Sequence, residues 1–321
     1  MSVWDTAELI RNIKRRGAIP TNQSTFENSD FLALANDEMN TVIIPDIFSL
    51  QEGYFVDYVD YAVSSDVTEN TFAIPAESLF SDVQDVCLII SDGASEWPLP
   101  RLNPKFRATN PPGANQSGSS SFITSGVGYY IQANAVKLVN RAQVPSTATV
   151  RIFYYRRPNY LVYPTEAGEV VSIDSGTNLI TLGNIPSDWT IGTSVCCVKG
   201  TPGFDLQFAD RSLTAVSSPT IQLADITDIS VGDWICTEGE SAVPQIPAET
   251  IPLLAQATAI KCLEAQGDVA GVQIAQAKYD KLKEEYMRVA TPRVPGSPEK
   301  VSGFGTRLFD RMGTYGLGRV Y

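Results

Sequence analysis

The hydrophobic period of the chain changes twice. Apolar residues recur every three to four positions near the N-terminus, at alternate positions through the middle, and every three to four positions again between residues 249 and 290. A period near 3.6 buries one face of a segment only if that segment is a helix, and a period of two only if it is a strand. Helices at both ends with strands between them predict an α+β fold. In that fold a discontinuous helical bundle draws on both chain ends, and β structure is inserted into it.

At the N-terminal end, residues 6–16 read as a helix with Leu9, Ile10 and Ile13 on one face and Gly17 as its stop. Asn28 or Ser29 caps a second helix, in which Phe31, Ala35, Met39 and Ile43 recur every four residues until Pro45 ends the run. Residues 46–51 read as a third, short helix. Alternation then marks strands at 54–63, 83–90, 129–139 and 149–155. Residues 103–125, with Pro-Pro-Gly and a serine run, read as a long surface loop.

Residues 164–241 read as a separate β module with an internal repeat. Thr181-Leu182 followed by Ile191-Gly192-Thr193-Ser194-Val195-Cys196 parallels Gln222-Leu223 followed by Val231-Gly232-Asp233-Trp234-Ile235-Cys236. Two such strand–turn–strand halves predict a small barrel or sandwich. After the proline-rich link 243–247, a helix over 249–266 places Leu253, Ala257, Ile260 and Leu263 on one face. Gly267 ends it and Asp268 caps the next, whose seam is Val269, Val272, Ala275, Tyr279, Leu282, Tyr286 and Val289. The expected division is therefore 1–53 N-terminal helices, 54–163 β-rich region, 164–241 inserted β module, 242–290 helical hairpin and 291–321 extended arm.

That arm differs from the rest. It carries Arg293, Lys300, Arg307, Arg311 and Arg319 against Glu299 and Asp310, a net +3 in a chain of −12, so residues 1–290 carry −15. Phe304, Leu308, Phe309, Tyr315 and Tyr321 are spread among six glycines. Such a segment has too little apolar surface to form a core and much entropy to lose. It gains order by laying aromatics and arginines into a partner's groove. Lys14, Arg15 and Arg16, in the last turn of the first helix, suit either the helix dipole or a phosphate or partner contact.

Several chemistries find no residues. The 321-residue chain has no histidine, which removes Ser-His-Asp and Cys-His catalysis and the His-based zinc motifs. Asp174-Ser175-Gly176-Thr177 has the form of an aspartic-protease motif, but no second copy supplies the other carboxylate, and it suits a hairpin turn. Ser297-Pro298-Glu299-Lys300 lies in a linker rather than at the start of a buried helix. The Gly303-Phe304-Gly305 and Gly316-Leu317-Gly318 runs lack a dinucleotide-loop context. No cofactor, metal site or catalytic set is expected.

A pI near 4.5 argues against a general nucleic-acid binder. The five cysteines, Cys87, Cys196, Cys197, Cys236 and Cys262, contain no C-x-x-C and are expected to be reduced. No secretion signal or membrane span is expected.

The ordered set of these features resembles the head-to-tail adaptor (connector) proteins of tailed bacteriophages. Leu9-Ile10-Arg11 through Ile19-Pro20, then Gln23-Ser24-Thr25-Phe26, is similar to the adaptor opening. Phe31 through Met39, Ile44-Pro45 and Glu52-Gly53-Tyr54-Phe55-Val56 follow in the family's order. Downstream, Val243-Pro244-Gln245-Ile246-Pro247 leads to a helix pair containing Leu263-Glu264-Ala265-Gln266-Gly267-Asp268, and Thr291-Pro292-Arg293 precedes the basic tail. The resemblance spans about 130 residues at the two ends.

It implies a non-enzymatic virion subunit, assembled in the host bacterial cytoplasm, that forms a ring with copies of itself, often twelve. It implies as partners the portal protein, a tail or nozzle protein, and genomic DNA passing through without sequence-specific binding. It places the portal contact on the arm. Two alternatives stay open: another tail structural protein such as a tube or nozzle subunit, and a carboxylate-based glycan hydrolase.

Overall fold

The computed structural model describes residues 4–20, 25–66, 70–90, 96–102, 127–140, 144–204 and 206–290. The expected loop at 103–125 lies outside them. The architecture is mixed α+β and includes a closed six-stranded barrel.

Helix α1 (Thr6–Arg16) begins at Asp5, whose carboxylate accepts the Glu8 N–H at 2.8 Å. It buries Leu9, Ile10 and Ile13 as its period requires. Helix α2 (Asn28–Glu38) begins one residue earlier than expected: Glu27 occupies the cap position, and its N–H donates to Asp30 at 2.8 Å.

Pro45 does not end the run. A π-helical turn (Met39–Ile43) passes directly into α3 (Ile44–Leu50), so the chain stays helical through the proline. Pro45 has no N–H to give an i−4 carbonyl, and a local switch to i−5 bonding, Ile44 N–H to Met39 C=O, absorbs that loss. Phe31, Ala35, Met39 and Ile43 are buried all the same.

At the other end, α4 (Ile251–Gln266) and α5 (Val269–Ala290) form an antiparallel hairpin across Gly267, which adopts φ 75°. Helix α4 is buried on nearly every side. Besides the four expected residues it hides Leu254, Ala255, Gln256, Thr258, Ala259 and Cys262, because α1, α2, the π turn and α5 all pack on it. Its alanines admit close neighbours. The buried Gln256 is satisfied, donating to the Ala275 carbonyl at 3.1 Å and accepting from Arg16 at 3.2 Å. One buried cluster thus takes residues from both chain ends.

Four strands form a sheet in the order β1 (Val56–Ala62), β7 (Thr149–Arg156), β3 (Ser78–Ile89), β4 (Glu96–Pro98). A second sheet contains β2 (Thr71–Ala73), β6 (Ala135–Val139) and β5 (Gly128–Ile131). Val86, Leu88, Val150 and Ile152 of the first sheet share a core with Phe72, Tyr129, Val136 and Leu138 of the second. The expected single strand over 129–139 is a hairpin. Ala133 and Asn134 both take positive φ, 44° and 40°, and Gln132 N–H closes the turn on the Ala135 carbonyl at 3.0 Å.

The barrel is built from β9 (Gly168–Asp174), β10 (Leu179–Leu182), β11 (Ser194–Val198), β12 (Leu206–Ser217), β13 (Thr220–Leu223) and β14 (Trp234–Thr237). They close in the order β10-β13-β12-β11-β14-β9. The repeat is its organising rule, and each half supplies three strands rather than the expected two. Equivalent residues meet each other: Ile180 pairs with Ile221 and Cys196 with Cys236, which puts a local two-fold axis through both pairs. The Gly192 N–H donates to the Leu213 carbonyl and the Gly232 N–H to the Val170 carbonyl, both at 2.8 Å.

Two short parallel strands, β8 (Tyr160–Leu161) and β15 (Glu240–Ser241), pair where the chain enters and leaves the barrel. Buried polar groups tie this root to the helices. The Asn36 amide donates to the Leu161 carbonyl at 3.2 Å and accepts the Leu161 N–H at 2.8 Å. The Thr6 hydroxyl donates to the Val162 carbonyl at 2.6 Å, and the Thr6 N–H to the Ala242 carbonyl at 2.9 Å.

Candidate docking groove

The C-terminal hairpin ends in an open surface. Among the described residues, the apolar seam of α5 is covered in its middle: Ala275 and Tyr279 are buried, and Val272, Leu282 and Tyr286 pack against the helical core. Val269 and Val289, at the two ends of the seam, are 69% and 70% exposed. At the last two turns of α5, Leu282, Tyr286, Val289 and Ala290 face Pro247, Pro252 and Leu253 across a groove of about 460 Å³.

The floor of the groove is apolar and its rim is acidic. Leu253 is buried beneath it. Glu249 and Glu285 line it together with Gln51, and no lysine or arginine does so among the described residues. Burial raises the Tyr286 phenol above its usual pKa, and the negative charge of Glu249 adds to that shift. The neighbouring Lys283 is already engaged, 2.7 Å from an Asp46 carboxylate oxygen. The groove therefore offers an apolar strip flanked by carboxylates, the arrangement that takes an extended segment carrying large apolar side chains and cations.

The three cations of α1 are all turned to intramolecular use. The Lys14 ammonium stands 5.0 Å from the centre of the Phe31 ring. Arg15 reaches a Glu8 carboxylate oxygen at 3.6 Å, and Arg16 donates to Gln256. Burial lowers the pKa of the Arg16 guanidinium. These contacts suit the dipole-and-packing account of the three cations.

Arg293, Phe304, Arg307, Leu308, Phe309, Arg311, Tyr315, Arg319 and Tyr321 all lie outside the described residues. The described chain stops at Ala290, on the groove itself. Sequence reasoning missed Glu249, Glu285 and Pro247 as groove residues. The available signal was the sign of the charge: the last exposed carboxylates before the arm are opposite to the arm's own net charge.

Asp174 forms the hairpin turn between β9 and β10. Its carboxylate accepts the Gly176 N–H at 3.0 Å and the Thr177 hydroxyl at 2.7 Å, and these bonds hold its pKa below the ordinary range. The five cysteines are free and buried. Burial pushes the Cys87, Cys196 and Cys262 thiols each up to about 11. Among the described residues no cluster of three or more His, Cys, Asp or Glu could hold a metal ion, and no helix is long and apolar enough to cross a membrane.

No protein-family model matches the chain, and no curated protein matches it.

Proposed function

We propose that this protein is a ring-forming structural subunit of a phage virion, joining the portal to the tail around the DNA channel. In this reading the helices of both chain ends form one discontinuous bundle that packs against its neighbours in the ring. The barrel is an inserted module. The arm reaches the portal, and the acidic body lets DNA slide past without holding it.

The observation that carries the reading is the groove at the base of the arm. An open, acid-rimmed apolar surface, continuous with a 31-residue cationic and aromatic segment, is suited to assembly between chains. The adaptor-like order of motifs at both ends supports the same class.

Electron microscopy of the purified protein, alone and mixed with its portal, tests the proposal. Closed rings of about a dozen copies that cap the portal are expected. Removal of residues 301–321 is expected to leave thermal unfolding within a few degrees of the full chain and to abolish portal attachment. A protein that stays monomeric and never joins the portal, or a truncated protein that still does, overturns it.

A further inference from the structure

We propose that the α4–α5 groove is the receptor for the arm of a second copy of this chain, and that residues 304–311 of that copy are the occupant. The proposal goes beyond the portal reading and does not depend on it.

Three observations converge. The first is complementarity. The groove floor is Leu253, Leu282, Tyr286 and Val289, its charged rim is Glu249 and Glu285, and residues 304–311 read Phe-Gly-Thr-Arg-Leu-Phe-Asp-Arg. Phe304, Leu308 and Phe309 match the floor, and Arg307 and Arg311 match the rim. Buried aromatic anchors hold such an interface, while rim charges speed and orient its formation.

The second is exposure. Val289 is 70% exposed, yet it continues the stretch of apolar seam from Val272 to Tyr286 that packs inward, so among the described residues the seam lacks a cover at this point.

The third is length. Phe304 lies fourteen residues beyond Ala290, and Pro292, Pro295 and Pro298 recur at three-residue spacing between them. Prolines at that spacing favour an extended, semi-rigid spacer of about 3.1 Å per residue, and a spacer of that form would carry the anchors roughly 40 Å from their own root. A spacer of that kind opposes a return to the groove from which it starts. It suits delivery to the next copy. Tyr315 and Tyr321 then remain for a further partner.

Disulfide trapping between separately made full-length chains tests this, because the native thiols are buried and give little background. A chain carrying Val289→Cys is mixed with one carrying Asp310→Cys under mild oxidation. A covalent heterodimer is expected, at a yield about tenfold above a control pairing of Asp310→Cys with Ile191→Cys, an exposed barrel site 72% accessible. Adding Phe309→Ala to the Asp310→Cys chain is expected to remove most of that excess.

Equal yields at positions 289 and 191, or a yield indifferent to Phe309→Ala, overturn the proposal. So does a chain carrying both cysteines that closes only on itself, at a rate unchanged by dilution, because that assigns the groove to its own arm. Portal capture by the same proteins is scored separately. Heterodimer without capture fails the portal reading alone, and capture without heterodimer fails this one alone.

Discussion

Ala18 holds a backbone conformation that glycine usually supplies. After α1 the Ile19 N–H bonds the Lys14 carbonyl at 2.8 Å and the Ala18 N–H reaches the Arg15 carbonyl at 3.4 Å, a helix-terminating pattern that needs a left-handed residue between them. The obvious candidate by sequence, Gly17, has φ −80°, and Ala18 takes φ 51°. The Cβ of Ala18 works against that angle, and Ile19 is buried beside it, so the turn is held by packing. Ala18→Gly is therefore expected to stabilise the protein by about 0.5 to 1 kcal/mol, the relieved strain exceeding the extra freedom glycine gives the unfolded chain. Urea unfolding checks it: an unchanged or lower midpoint would show that the left-handed turn carries no strain.

Among the elements, those whose period is set by one buried face were readable from sequence. Helix α1 and strand β7 agree with expectation within a residue or so. Elements governed by tertiary surroundings were not. Helix α4 is enclosed by four neighbours, so burial all round it erases the single stripe that the pattern of Leu253, Ala257, Ile260 and Leu263 suggested. The π turn before Pro45 and the two-residue turn at Ala133-Asn134 are backbone solutions with little trace in hydrophobic spacing.

In the barrel, strands β9 and β12 were hidden as repeats because four residues, Ser175 to Asn178, separate β9 from β10, while two, Ser218 and Pro219, separate β12 from β13. Their core residues Val170 and Leu213 nevertheless occupy the same place. As for the groove, the sequence reading marked its α5 residues Leu282, Tyr286 and Val289 as seam, but not the acidic rim, which only folding brings to one place. Element contact also sets a steric limit: a Cβ on Gly200 would lie 2.0 Å from the Gly232 carbonyl oxygen. Gly200→Ala is expected to cost about 2 kcal/mol by forcing the turn before β14 away from the end of β11. A midpoint equal to the parent's would mean that this turn moves freely.

At the scale of the whole molecule, the parallel pair β8–β15 holds the barrel's entry and exit together. The Tyr160 N–H bonds the Gly239 carbonyl at 2.9 Å and the Val162 N–H bonds the Ser241 carbonyl at 3.0 Å. Replacing residues 167–238 by a short Gly-Ser linker, with both strands kept, is expected to preserve the helical circular dichroism and a cooperative thermal transition. Some stability is lost, because Ala242 and Val243 lose the cover of Val198, Trp234 and Cys236. Collapse of the helical signal in that variant would show that helices and barrel fold as one cooperative unit.

The local two-fold axis through the Ile180–Ile221 and Cys196–Cys236 pairs has a further consequence. A surface that pairs with its own equivalent is self-complementary. The seam between the halves of this barrel has the form that joins two identical molecules, here written twice along one polypeptide. Exchange of halves between two chains would rebuild the same seam without inventing a contact. The connection between β11 and β12, with the β8–β15 pair at the root, is then what makes the barrel the property of a single chain.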